Sequence, residues 1–100
     1  MNTANLQLEG LYAAMAALVS AIRDKGVLSA EEIETLLKQA EELNLEPERQ
    51  ISGPNRDAIR FPFRYLRAAN RAAAGGVPRS FFDIATEIGM TKDMPAHRIG

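Results

Sequence analysis

Residues 28–43, LSAEEIETLLKQAEEL, carry the most specific local signal in the chain. Ser29 and Glu32 have the S-x-x-E spacing of a capping box, in which the side chain of each residue accepts a hydrogen bond from the backbone N–H of the other. Leu28 precedes this cap and can pack onto Ile33, which fixes the direction in which a helix starts. The apolar residues that follow share one face of that helix, namely Ile33, Leu36, Leu37, Ala40 and Leu43.

A helix is also predicted upstream, over about residues 5–25. Many of its remaining positions are alanine, which favours helix. Gly26 is in position to end it. The short connection to Ser29 predicts that the two helices touch and run antiparallel, as a helical hairpin over residues 5–44 that ends at Asn44. The large apolar side chains of the first helix recur at alternating spacings of three and four, at Leu8, Leu11, Met15, Leu18 and Ile22.

A third helix is predicted after a loop at residues 45–54. Pro54 suits its first turn, where a missing N–H costs nothing. The helix should run to about Ala74 and be interrupted at Pro62, because a proline inside a helix removes one backbone hydrogen bond and bends the chain. This segment is therefore either one kinked helix or two pieces that meet near Phe61.

A short fourth helix is expected from Phe81 to Ile88, with Ser80 as its cap and Gly89 as its end. Residues 91–100 show no clear period and are predicted to be a mobile C-terminal tail. The fold class is therefore predicted to be all-α. We expect a small four-helix single domain over residues 1–90, in which the helical hairpin is followed by a proline-interrupted helix and a short C-terminal helix.

The composition excludes several classes of protein. The chain has 100 residues, a formal net charge of −1, no cysteine and one histidine, His97. Disulfide frameworks, thiolate metal sites and cysteine nucleophiles are excluded, and a zinc site is not expected. The N-terminus lacks the basic region of a signal peptide, and the uncharged stretch 10–22 is shorter than the ~20 apolar residues of a membrane span. We expect a cytoplasmic protein with no cofactor and no membrane contact.

No arrangement of residues predicts catalysis or metal binding. The carboxylates of the second helix are expected to face away from its apolar side, where carboxyl groups keep ordinary pKa values and make poor acids or bases. Ser29 and Ser80 are expected to serve as helix caps, and His97 lies in the predicted tail. The sequence therefore indicates a protein that is not an enzyme.

One stretch near the C-terminus, from Ile84 to Lys92, resembles the first half of a helix-turn-helix motif. In such a motif a small residue like Ala85 packs against the second helix, and a glycine like Gly89 makes the turn. Pro95, however, falls where the recognition helix needs a buried apolar residue. The favoured interpretation is a short amphipathic helix that ends at the glycine.

The first helix carries no charge from Gly10 to Ile22. A helix that is apolar on nearly all sides requires burial on nearly all sides. Two interpretations follow: it is a central helix surrounded by the other three, or it packs against a second copy of the chain in a two-fold dimer. The candidate dimer interface consists of Leu11, Ala14, Met15, Leu18 and Ile22.

The third helix carries a row of arginines, which would span ~22 Å within about 80° of arc if the helix is continuous. Arginine binds phosphate and carboxylate bidentately. The row is either a solvated or ion-paired face, a site for nucleic acid or another polyanion, or a site for an acidic protein. An acidic row on the second helix lies opposite its apolar face, so we expect pairing between chains to be easier than pairing within one. The two rows are Arg56, Arg60, Arg64, Arg67 and Arg71, and Glu31, Glu34, Glu41 and Glu42.

These patterns predict a non-enzymatic protein-protein interaction or structural module that forms a homodimer, with an acidic protein as a further possible partner. The alternative is a nucleic-acid-associated protein that binds DNA or RNA through the arginine-lined helix. The charge is divided along the chain: residues 1–50 hold four basic and nine acidic side chains, and residues 51–100 hold eight basic and four acidic ones. Either function could use that division.

Overall fold

Four helices follow one another along the chain. The computed structural model describes the backbone of residues 3–45 and 50–97, and the side chains of residues 3–45 and 50–89. Within these ranges the chain contains helices and no strand, which confirms the predicted all-α class. The helices are α1 (Thr3–Asp24), α2 (Ala30–Leu43), α3 (Gly53–Ala74) and α4 (Phe81–His97).

The capping box of α2 is present as predicted. The Ser29 hydroxyl accepts a hydrogen bond from the Glu32 N–H at 3.0 Å, and the Glu32 carboxylate accepts one from the Ser29 N–H at 2.7 Å. Asn44 caps the other end, and its N–H donates to the Ala40 carbonyl. Gly26, in the connection from α1, has a φ of 76°, a left-handed conformation that glycine adopts without a steric penalty.

The third helix continues through Pro62 as a single element. Ser52 caps its start by accepting a hydrogen bond from the Asn55 N–H at 3.3 Å, and Pro54 lies in the first turn as predicted. At its end Gly76 turns the chain with a φ of 88°. The alternative of two separate pieces is therefore wrong. Proline removes only one backbone hydrogen bond, and the packing of α3 against the other three helices compensates for that loss.

The fourth helix is longer than the sequence predicted. Ser80 caps it by accepting a hydrogen bond from the Asp83 N–H at 3.2 Å. The helix does not end at Gly89 but continues to His97. Glycine in a helix costs only about 1 kcal/mol relative to alanine, so it need not end one. There is consequently no turn at Gly89 of the helix-turn-helix kind.

The structure describes only part of the segment that was predicted to be a mobile C-terminal tail. The backbone of residues 91–97 is helical. Residues 98–100 and the side chains from Met90 onward, which include that of His97, lie outside the described part of the chain. The mobility of the tail stays a prediction.

The core is built around α3, which packs against each of the other helices. Two of its residues, Tyr65 and Leu66, are buried against α2 and against Ile84 of α4. Helix α2 contributes Ile33 and Leu37. Four rings then close one end of the core, with centroids 5.2–6.4 Å apart, at Tyr12, Phe61, Tyr65 and Phe81.

Helix α1 is peripheral and has no buried residue. It contributes the half-buried side chains of Tyr12, Ala16 and Val19 to the core. The interpretation of α1 as a central helix surrounded by the other three is therefore wrong. The central position belongs to α3, because its aromatic and aliphatic side chains are large enough to reach three neighbours.

Replacing Ile84 with Ala should lower the free energy of unfolding by about 2–5 kcal/mol, because it deletes buried methyl groups and leaves a cavity. Ile84 is 1% exposed, whereas Phe82 on the same helix is 73% exposed. The control Phe82→Ala should change stability by no more than about 0.5 kcal/mol. Urea denaturation measures both values. Equal effects of the two changes would contradict the assignment of Ile84 to the buried side of α4 and of Phe82 to its exposed side.

Candidate functional site

The first candidate surface is an apolar stripe along the outside of α1. All five residues of the predicted dimer interface are exposed, including Leu11 at 57% and Leu18 at 59%. The four large side chains among them form a stripe with Leu8 of the preceding turn, and Ala14 lies beside it. We call this stripe the apolar seam, and it consists of Leu8, Leu11, Met15, Leu18 and Ile22.

The apolar seam is not the side of α1 that packs on the protein. Tyr12, Ala16 and Val19 face the core, and the Arg23 guanidinium donates a hydrogen bond to the Asn70 side-chain oxygen at 2.9 Å. At 100° per residue, the midline of the seam lies about 100° around the helix from this packed side. The bundle therefore packs the side of α1 that has fewer large aliphatic side chains, and the side that has more of them is exposed.

By length and composition alone, α1 is the one helix in the described part of the chain that could cross a membrane. The uncharged stretch 10–22 is shorter than a span, but the helix that contains it has 22 residues. Core helices and signal sequences share these properties. In this structure the same helix contributes to the core on one side, so its apolar composition serves packing as well as the open seam.

The second candidate surface is the arginine row of α3, which is continuous because α3 is. Its two ends are held by other parts of the protein. The Arg56 guanidinium donates to the Leu45 carbonyl at 3.1 Å. Arg67 and Arg71 both donate to the Glu34 carboxylate, at 2.7 Å and 3.1 Å. Three of the five arginines are thus hydrogen-bonded within the chain.

The middle of the row surrounds Glu41 of α2, which is 6% exposed. Arg60 and Arg64 lie 3.7 Å and 4.0 Å from one oxygen of its carboxylate, and Arg67 lies 3.6 Å from the other. These distances are ion-pair distances but exceed those of hydrogen bonds. The second oxygen, Oε1, is buried and accepts no hydrogen bond from the described residues.

The row was expected to be a solvated or ion-paired face, with pairing between chains easier than pairing within one. The structure has the ion-paired face, but its carboxylates, Glu34 and Glu41, belong to the same chain. Glu34 and Glu41 lie three residues before and four residues after Leu37, so they share the side of α2 that Leu37 buries. The sequence pattern grouped Leu36 and Leu43 with Leu37 on one apolar face, but the structure leaves Leu36 and Leu43 exposed. The expectation that the carboxylates of α2 are exposed therefore also fails, at Glu41.

Between α2 and α3 these residues line a cleft of about 390 Å³. It presents four cationic and two anionic side chains, together with one leucine. We call it the arginine cleft, and it is lined by Lys38, Glu41, Glu42, Leu45, Arg60, Arg64 and Arg67.

Two tyrosines of the ring cluster have shifted pKa values. Burial raises the pKa of Tyr65 above its usual 10.0, with a smaller contribution from the nearby Glu9 charge, and burial also raises that of Tyr12. Both phenols therefore stay protonated at neutral pH and offer no nucleophile. Among the described residues, no three histidine or carboxylate side chains come together in a way that could hold a metal ion.

Replacing Glu34 with Gln should lower the free energy of unfolding by about 1–2 kcal/mol, because the carboxylate that accepts hydrogen bonds from Arg67 and Arg71 becomes a neutral amide with a single accepting oxygen. Glu42→Gln is the matched control, since Glu42 is exposed on the same helix and should change stability by no more than about 0.5 kcal/mol. Urea denaturation at low salt measures the difference, which should shrink at ~1 M salt, where charges are screened beyond ~3 Å. Equal stability of the two variants would contradict the pairing of Glu34 within the chain.

Comparison with protein-family models, with curated proteins and with solved structures finds no match for this chain. The functional proposals below therefore rest on the geometry of its own residues.

Proposed function

We propose that this chain is a non-enzymatic protein-interaction module that pairs with a second copy of itself through the apolar seam of α1. The observation that carries the proposal is the exposure of the seam: its large side chains are exposed although the helix around them is packed. Exposed apolar patches of this kind mark interaction surfaces in soluble proteins.

The spacing of the seam suits a helix as its partner. Its residues alternate steps of three and four, which is the a/d pattern of helices that pack with knobs in holes. Ala14 and Ala21 flank the seam and are also exposed. Because small side chains allow two helix axes to approach closely, a second helix can lie along the full length of α1.

A second copy of α1 is the partner that this pattern fits best. In an antiparallel two-fold pair, Leu8 of one copy lies opposite Ile22 of the other, Leu11 lies opposite Leu18, and Met15 meets itself. No charged residue lies within the seam. The antiparallel orientation is favoured because it opposes the two helix dipoles.

The chain as a whole exposes more surface than a compact monomer of its mass. The chain exposes 6896 Å², whereas a compact monomer of 11.0 kDa exposes roughly 5,600 Å² by the usual scaling with mass. The excess of about 1,300 Å² is more than the ~800 Å² that each partner contributes to a standard interface. Burying about 800 Å² of each chain in a dimer would therefore bring the exposed area per chain closer to that of a compact protein of this mass.

The alternative function, association with nucleic acid through α3, has a narrower basis. The continuity of α3 keeps the arginine row in line, which favours it. Against it, Arg56, Arg67 and Arg71 are already hydrogen-bonded to other parts of the chain. The dimer module is the function that we favour.

Light scattering at micromolar concentration should give about twice the chain mass of 11.0 kDa. Leu11→Glu combined with Leu18→Glu should give a folded monomer, because charges buried in an interface without partners cost several kcal/mol. Leu6→Glu is the matched control: Leu6 is on α1 and 52% exposed but lies off the seam, so this variant should stay dimeric. A wild-type monomer would overturn the proposal, and so would wild-type chains that insert into lipid vesicles instead of pairing.

The orientation of the pair is tested by single cysteines, since the chain has none of its own. Met15→Cys should form a disulfide with its own counterpart on mild oxidation, because Met15 lies on the two-fold axis. Leu8→Cys should not, because the two copies of residue 8 lie at opposite ends of an antiparallel pair. Cross-linking at both positions would contradict the antiparallel orientation and indicate a parallel dimer.

A further inference from the structure

We propose that the arginine cleft between α2 and α3 binds a small anion that carries two or more phosphate groups. This site is separate from the apolar seam and does not depend on the proposed dimer. It rests on three observations: the unused hydrogen-bond donors around Glu41, the excess of positive charge in the cleft, and the presence of an open volume beside these donors.

In the part of the chain that the structure describes, Arg60 and Arg64 are attracted to Glu41 but donate no hydrogen bond to it. Arg60 and Arg64 come no closer than 3.7 Å and 4.0 Å to its carboxylate, whereas Arg67 reaches Glu34 at 2.7 Å. A guanidinium has five N–H donors in a planar fork. Arg60 and Arg64 therefore keep forks that a phosphate group could take bidentately.

The cleft has the charge and the size for such a ligand. Its lining holds four cationic side chains against two carboxylates. One of the four, Arg67, is also paired with Glu34 beside the cleft, which leaves a net positive charge. Its volume of about 390 Å³ lies within the ~300–1,000 Å³ range of small-ligand clefts. Arg60 and Arg64 stand one helical turn apart, with Cβ atoms ~5–6 Å from each other. Two neighbouring phosphate groups of one ligand could each meet one guanidinium.

A small ligand fits better than an extended nucleic acid. The arginines at the two ends of the row, Arg56 and Arg71, are bonded to Leu45 and Glu34. The guanidiniums at the two ends of the row therefore already have acceptors within the chain, and among the described residues the donors without one lie in the middle of α3. Nucleic-acid binding needs phosphate contacts distributed along a surface.

Glu41 acts as a positioning residue in the empty cleft. Its buried charge holds three guanidiniums in one place, and it also repels any anion that enters. Removing that charge while keeping the shape of the side chain should therefore strengthen phosphate binding. A purely structural role for Glu41 predicts no such gain.

The test is calorimetric titration with sodium tripolyphosphate at ~50 mM salt, with folding checked by circular dichroism. Wild type should bind, and Glu41→Gln should bind roughly fivefold more tightly, because one charge at ~4 Å is worth about 1 kcal/mol in water. Arg60→Gln combined with Arg64→Gln should lower the affinity tenfold or more, since hydrogen bonds to charged groups are worth ~1.5–3 kcal/mol each. The monomeric seam variant should bind as wild type does, which separates this proposal from the dimer.

Arg79→Gln is the matched control, because it removes one guanidinium of equal exposure, 36% against 37% for Arg60, outside the cleft lining. It should leave the affinity unchanged. An equal loss in this control would overturn the site and indicate attraction by net charge. The proposal also fails if neither wild type nor Glu41→Gln binds tripolyphosphate, or if DNA or RNA binds and tripolyphosphate does not compete.

Discussion

The burial of Tyr65 and Leu66 of α3 is the contact on which the rest of the structure depends. These two side chains meet α2 on one side and Ile84 of α4 on the other, and Tyr65 also belongs to the ring cluster that includes Tyr12 of α1. Because a single helix supplies the surface against which the other three pack, α3 takes the centre. The central position of α3 determines where the apolar seam and the arginine cleft lie.

The arginine cleft is a consequence of how α2 meets α3. Helix α2 has a wide apolar arc, and the protein buries the edge that holds Leu37 while it exposes Leu36. Glu34 and Glu41 flank the buried edge and are brought against the arginines. Local helix geometry places these carboxylates on the same side of α2 as Leu37. Only packing against α3 determines that this side, and not the side of Leu36, is buried. The sequence pattern identified both charged rows and offered an ion-paired face, but it did not show that Glu34 and Glu41 of the same chain are the partners.

The apolar seam follows from the small size of the core. With α3 at the centre, α1 needs only one packed side, which Tyr12, Ala16 and Val19 supply. The sequence pattern identified an excess of apolar residues on α1 and offered two ways of covering it. The structure removes the surrounding-helix alternative and leaves the seam open, so a partner for it becomes the natural hypothesis. The same open seam is what gives α1 a composition that could suit a membrane.

Sequence alone determined what depends on short-range physics. The capping box at Ser29, the cap at Ser80, the glycine turn at Gly26 and the all-α class all come from hydrogen bonds and backbone preferences within a few residues. Only the tertiary structure decided that α3 runs unbroken through Pro62, which side of α1 is packed and which carboxylates meet the arginines. Those outcomes depend on which surfaces of different helices pack together in a small core. The sequence pattern along one helix does not show which side of a neighbouring helix packs against it.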